Sequence, residues 1–198
     1  MALYKNKYRV ESVRLKGWDY SSPGHYFITI CTKNRECLFG NIVQNKIVLS
    51  DMGKIMERYW REIPDHFNGV KLDEYVIMPN HIHGIISIMV ETPNLGVSTG
   101  TDPETGTDPE TGTDPETGTD PDKKNTPNIG IIINQYKRIC TIRIRESYPG
   151  IIIWQTRYHD HIIRDENELY RIRQYIIKNP ANWEKDDKYK KEPCRTSR

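Results

Sequence analysis

The fold class this sequence predicts is an α+β sandwich, an antiparallel sheet with helices laid on one face. Three observations carry the prediction. Runs such as "HYFITICT" (25–32) and "HIHGIISIMV" (81–90) are rich in aromatic and β-branched residues over strand-like lengths. Stretches with helix start and stop signals stand between such runs. The order reads strand, helix, strand, strand, helix, short strands, helix, which leaves one sheet face available for a ligand.

In chain order, residues 1–24 form a basic aromatic segment in which Tyr4, Tyr8, Trp18 and Tyr20 alternate with Lys5, Lys7, Arg9, Arg14 and Lys16. Stacking platforms interleaved with cations suit single-stranded nucleic acid, and a basic tail suits the pattern equally. After the strand at 25–32, "NIVQNKIVLS" (41–50) reads as a hairpin turning near Gln44 and Asn45. Ser50 can cap a helix over 51–63 that stops before Pro64. Residues 69–78 and 81–90, joined by Pro79 and Asn80, make an antiparallel pair. Thr126 followed by Pro127 starts a helix running towards Glu146. "GIIIWQ" (150–155) and "RYHDHII" (157–163) read as short strands. Asp165 with Glu168 opens a last helix that ends at Pro180, ahead of a polar tail over 184–198.

Residues 91–125 interrupt this single domain as an insertion. Within it "TGTDPE" recurs three times from Thr99, and a fourth copy ends in "TGTDPD". The repeats hold no aliphatic or aromatic residue, carry like charges throughout, and place Pro and Gly in every copy, so burial cannot offset their ordering entropy. A disordered acidic loop is expected, and such a surface insertion costs the domain little.

The repeats also mask the charge of the rest. Net charge is +2, yet Thr99 to Asp122 holds eight acidic residues and no Lys or Arg, leaving about +10 on the remaining chain. A surplus of that size points to a polyanionic partner, nucleic acid before membrane. The four cysteines, Cys31, Cys37, Cys140 and Cys194, contain no C-x-x-C pair, so neither a zinc knuckle nor a disulfide framework is indicated. The N-terminus has no apolar h-region and no stretch approaches the roughly 18 apolar residues of a membrane span. A soluble, cytoplasmic protein is expected.

Chemistry concentrates at "MPNHIHGI" (78–85). In a strand, His81 and His83 project from one face while Ile82 enters the core. Two imidazoles suit one divalent ion with coordination positions left for a substrate oxygen; polar residues on a half-exposed strand are the plainer alternative. On the last helix Tyr175 and Asn179 stack at i and i+4, so the amide could add an oxygen ligand beside a phenol. A tyrosine, with a pKa near 10, attacks phosphorus usefully only where a metal stabilises the developing charge. It could equally pack at the edge of the Leu169, Ile172, Ile176 stripe.

At these residues the sequence resembles the single-tyrosine HUH transposases. "YVIMPNHIHG" is similar to their His, apolar, His motif, and "WQTRYHDHIIRDENELYRIRQYIIKNP" resembles the closing segment of the REP-associated branch. The likeness runs from about residue 25 to 183, and the repeat insertion departs from it. The resemblance implies a ferredoxin-like (RRM-like) domain that nicks single-stranded DNA beside hairpins with Mg²⁺ or Mn²⁺, through a 5′-phosphotyrosyl intermediate and a free 3′-OH that can reverse the step as strand transfer. By motif, His81, His83 and Asn179 would hold the metal and Tyr175 would be the nucleophile. Tyr170 with Gln174 is the rival, because the insertion-sequence branch uses a Tyr-x-x-x-Gln pair.

Candidate phosphate contacts are Lys137, Arg138, Arg143 and Arg145 on the middle helix, and Arg157, Arg164, Arg171, Arg173 and Lys178 near the site. His159 and His161 repeat the i, i+2 spacing and could be structural or contact DNA. The partner implied is hairpin-bearing single-stranded DNA, bound by a monomer or a homodimer. Two other readings stay open: a non-catalytic single-stranded nucleic-acid-binding module on an RRM-like sheet, and a metal hydrolase that activates water.

Overall fold

In the computed structural model the described residues are 17–89 and 127–183, together with the backbone of two dipeptide strands, β1 (Leu3–Tyr4) and β2 (Lys7–Tyr8), which pair antiparallel. Most of the basic N-terminal segment, the 91–125 insertion with its repeats, Thr126 and the 184–198 tail lie outside the described residues.

The aromatic and β-branched run forms β3 (Gly24–Cys31). A tight hairpin follows, β4 (Gly40–Val43) and β5 (Lys46–Leu49), and Gln44 and Asn45 both take positive φ at its turn, the geometry that matches strand twist. Ser50 caps α1 (Asp51–Arg61), its Oγ accepting from the Gly53 amide at 3.1 Å. Chain reversal then uses α2 (Ile63–His66), with Pro64 inside its first turn, so the proline starts a new helix where a stop was expected. β6 (Val70–Met78) and β7 (His81–Ile88) are the expected antiparallel pair. α3 (Ile129–Ser147) begins two residues later than Thr126 and Pro127 suggest, because Asn128 provides the cap, its Oδ1 accepting from the Gly130 amide at 2.8 Å. β8 (His159–Ile163) and α4 (Glu166–Asn182) complete the chain.

The sheet order is β6-β7-β3-β8 with every neighbour antiparallel, the split βαβ arrangement of a ferredoxin-like domain. The expected fold class is the observed one. "GIIIWQ" is no strand of this sheet; a single bridge joins Trp154 to Thr32, while Lys137 Nζ and the Arg145 guanidinium donate to the carbonyls of Gln155 and Ile151 and tie the segment to α3. α4 also runs past Pro180 to Asn182, since a proline so near a helix end sacrifices only the last hydrogen bonds.

Strand alternation sends Tyr26, Ile28, Ile30, Ile82 and Ile86 to one face, where α1 and α3 cover them with Met56, Trp60, Ile132, Ile133 and Tyr136. Gly84 lies directly beneath Trp60, and a Cβ there would stand 2.3 Å from the indole, so the close approach of α1 requires glycine. The opposite face was expected to be open. α4 lies across it, packing Leu169, Ile172 and Ile176 on Phe27, Val76, Ile85 and Ile163. Full burial of such a side chain contributes about 1.5–3 kcal/mol, and this stripe is what holds the helix there. All eight residues of β7 are consequently buried.

Cys31 and Cys140 are free thiols, and burial pushes the pKa of Cys140 up to about 12. Among the described residues no helix is long and apolar enough to cross a membrane.

Candidate functional site

His81 and His83 occupy the α4-facing side of β7, opposite Cys31 and Thr29 of β3 and Met78 and Val76 of β6. They are not half-exposed strand residues: their relative exposures are 0% and 1%. Their rings stand 4.5 Å apart, edge to face. His81 Nδ1 meets Asn80 Oδ1 at 2.8 Å, and because a carbonyl oxygen can only accept, Nδ1 carries the proton and Nε2 the lone pair. Asn80 is itself oriented by donating its amide to the Arg35 carbonyl at 3.1 Å. Burial, with the neighbouring His83 and Arg35 adding to it, holds the His81 pKa well below its ordinary 6.5. The neutral imidazole that results is the form that coordinates metal ions.

His83 Nδ1 pairs with Thr29 Oγ1 at 2.9 Å, and Phe27 stacks on its ring at 5.2 Å. Its Nε2 is 3.2 Å from the Tyr175 hydroxyl. Tyr175, on α4 and 41% exposed, therefore presents its oxygen to His83. Asn179, one turn further along, is buried on the same helix, and Trp183 closes the far side with its ring 6.0 Å from His81. Tyr170 is 62% exposed and lies roughly 140° around the helix from Tyr175. Of the two tyrosines considered, Tyr175 is the one hydrogen-bonded to a histidine.

This donor set suits a divalent ion. Imidazole Nε2 atoms with Nδ1 partners already fixed by Asn80 and Thr29 are what metal-binding histidines display, and Asn179, buried on α4 one turn after Tyr175, carries an amide oxygen of the kind such an ion accepts. Among the described residues there is no cluster of three or more His, Cys, Asp or Glu placed to hold a metal, so any ion here would depend on two imidazoles plus amide, water or substrate oxygens.

Beside Tyr175 a cleft of about 360 Å³ opens between β3, β8 and the segment before β8, lined among others by Phe27, Arg35, Gln155, Arg157 and His159. Arg157 is thus at the site. Arg164, Arg171 and Lys178 are exposed in or around α4. Arg138 and Arg143 are elsewhere: they line a separate groove of about 840 Å³ between α1, α2 and α3, across the sheet from the histidines. Arg143 there bonds Tyr59 and Glu146. Helical periodicity shows that these two cations are exposed but not which sheet face their helix covers. Arg173 is spoken for by Asp73, with Nε and Nη2 contacts of 2.9 and 2.6 Å to its carboxylate. His161 Nε2 donates to the Glu168 carboxylate at 2.8 Å, tying β8 to the first turn of α4, and His159 reaches the cleft.

Sequence reasoning missed Thr29, Asn80, Phe27 and Trp183. Thr29 had a visible signal, a polar residue on the strand face that register sets against His83. Trp183 had none, because helix continuation through Pro180 is what brings it over His81.

Comparison with known proteins follows the same lines. No family model matches the chain. An uncharacterized protein of Haemophilus influenzae is 39% identical over 178 residues, spanning 90% of this chain and 92% of its own. The chain belongs to the family of that protein. Among solved structures, that of a REP-associated tyrosine transposase bound to a REP hairpin superposes with a TM-score of 0.51 at 14% identity, covering 88% of this chain and 74% of the transposase. At that identity the likeness is one of fold.

Proposed function

We propose that this protein is a metal-dependent HUH enzyme of the single-tyrosine, REP-associated type, which nicks single-stranded DNA beside a hairpin and can rejoin it. The single observation that carries the reading is the Tyr175 hydroxyl 3.2 Å from Nε2 of His83 in a buried His81–Ile82–His83 strand. Tyr175 is the nucleophile. Its oxygen forms a bond to phosphorus as the bond from phosphorus to the 3′ oxygen breaks, the phenolic proton is lost, and the released 3′ oxygen takes up a proton. Attack of that hydroxyl on the phosphotyrosine runs the same step backwards and returns the proton to Tyr175. A divalent ion, Mg²⁺ or Mn²⁺, held by His81, His83 and Asn179 would supply charge stabilisation at the phosphate. Arg157 in the cleft, with Arg164, Arg171 and Lys178, would contact the DNA backbone.

A non-catalytic module is disfavoured by the cover over the sheet. RRM-like sheets bind bases by stacking them on exposed aromatic residues, whereas here α4 packs on that face and leaves His83 1% exposed. The test is to incubate the protein with a labelled single-stranded hairpin from the flanks of its gene, with Mn²⁺ or with EDTA, and run a denaturing gel. A metal-dependent covalent band that survives Tyr170→Phe and vanishes in Tyr175→Phe is expected. Loss only in Tyr170→Phe would move the nucleophile. Cleavage without any adduct, retained in Tyr175→Phe, would point to water activation, and tight hairpin binding with no cleavage at all would leave the binding module.

A further inference from the structure

α4 has to hold Tyr175 over His83, and its apolar stripe alone does not fix its rotation. Leu169, Ile172 and Ile176 run along the underside of the helix, and a greasy contact resists sliding off more than it resists rolling. The two flanks differ. Tyr175 projects on one, towards the cleft. On the other, Arg173 reaches β6, where its guanidinium meets both carboxylate oxygens of Asp73 at 2.9 and 2.6 Å.

Asp73 owes its position to an irregularity in β6. Leu72 pairs with Ile86 and Tyr75 with Gly84, so Asp73 and Glu74 together oppose Ile85 alone, which is a β-bulge. Leu72 and Tyr75, three residues apart, both pack in the α1–α3 core, which unbroken alternation would forbid. The bulge restores that packing and turns Asp73 towards α4, where its Oδ1 also accepts the Glu74 amide at 2.7 Å. The Arg173 hydrogen bonds hold the Asp73 carboxyl below its ordinary value, so the pair is ionised at neutral pH.

We propose that the Asp73–Arg173 fork is a rotational clamp on α4 and that both are positioning residues for Tyr175. The proposal rests on Tyr175 being the nucleophile. A tyrosine oxygen stands about 9 Å from its helix axis, so a roll of roughly 10° would carry it some 1.5 Å, and a misplacement near 1 Å costs about 100-fold in rate. A bidentate Arg–carboxylate pair sets direction as well as distance, which a single ammonium contact cannot. Arg173 was one of the candidate phosphate contacts; with its fork filled by Asp73, its contribution is to geometry.

The test compares Arg173→Ala, Arg173→Lys and Asp73→Asn with the wild-type full-length chain. Asp73→Asn and Arg173→Lys preserve volume should the alanine variant fold poorly. Adduct formation at saturating hairpin and Mn²⁺ should fall 10- to 100-fold in Arg173→Ala and less in Arg173→Lys, with hairpin affinity within twofold of wild type. A loss of hairpin affinity with an unchanged rate at saturation would overturn the proposal and make Arg173 a phosphate contact. A second readout needs no activity: the ¹⁵N resonance of His83 in the metal-free protein, recorded with and without Tyr175→Phe. That substitution should shift the resonance strongly in the wild-type background and little in Arg173→Ala or Asp73→Asn, because the hydroxyl has already swung away. Equal shifts in both backgrounds would refute the clamp. If wild type forms no adduct, the assignment of Tyr175 as nucleophile fails, while the resonance measurement still decides whether Arg173 sets its position.

Discussion

Acidification tests the electrostatics of the site most directly. His81 is fully buried, and burial, with His83 and Arg35 adding to it, depresses its pKa well below 6.5. The folded protein therefore keeps it neutral at a pH where the unfolded chain has begun to bind a proton. The group's contribution to stability is present in full above 6.5 and is lost as pH falls from there towards the depressed value, because proton uptake then favours unfolding. One such group gives a slope of at most about 1.4 kcal/mol per pH unit. The loss grows within that limit as the pH falls from 6.5, against the roughly 5–15 kcal/mol that holds an ordinary domain together. Urea unfolding of the metal-free protein at half-unit steps from pH 7.5 to 5 measures it, with His81→Gln as the control, since a glutamine amide can still donate to Asn80 Oδ1. The control should flatten the profile over this range. A slope that survives His81→Gln unchanged would show that the buried imidazole is not its source.

Two further outcomes follow from the packing around β7. Gly84→Ala drives a methyl into Trp60, so it should cost about 1–3 kcal/mol in chemical denaturation and, by displacing the strand between His83 and Ile85, lower Mn²⁺ affinity as well; full stability would mean that α1 can retreat. Thr29→Val keeps the shape of the side chain but strips His83 Nδ1 of its 2.9 Å partner. A loss of about 1–3 kcal/mol in stability and of 10- to 100-fold in Mn²⁺ affinity by calorimetry is expected, and unchanged metal binding would remove Thr29 from any supporting role.

Much of this was legible in the residues. Ser50 and Asp165 are caps because a short polar side chain before an apolar periodic run satisfies amides that the helix cannot, and both do so here. Gln44 and Asn45 turn the hairpin for an equally local reason. His81 and His83 share one face of β7 as their spacing suggested, since i, i+2 on a strand leaves little freedom, whereas the position of Tyr175 beside them is long-range and only the family resemblance pointed to it. What failed was long-range. Nothing within α3 says which sheet face it covers, so the residues alone do not show that Arg138 and Arg143 lie across the sheet from the histidines. The run at 150–155 has strand composition, but Ile153 is consumed by the core and the rest by hydrogen bonds to α3 and the end of β3. Composition cannot tell a strand from an extended strap.

The placement of the histidines follows from the double cover on β7. A strand buried on both faces should be apolar at every position, and even-numbered Ile82, Ile86 and Ile88 obey that rule on the α1–α3 side, with Gly84 yielding only to Trp60. Every polar residue of the strand, His81, His83 and Ser87, has the opposite parity and faces α4. Burying such groups is costly unless each is hydrogen-bonded, and each has an assigned partner: Asn80 for His81, Thr29 and Tyr175 for His83, His25 for Ser87. A core under no other demand would fill those positions with Ile or Val at no such cost. On the proposed function, polar residues confined to one parity of this doubly buried strand mark the sheet face where the demand for metal and phosphate chemistry has displaced packing, and the helix roofing that face supplies the nucleophile. Here that helix brings Tyr175.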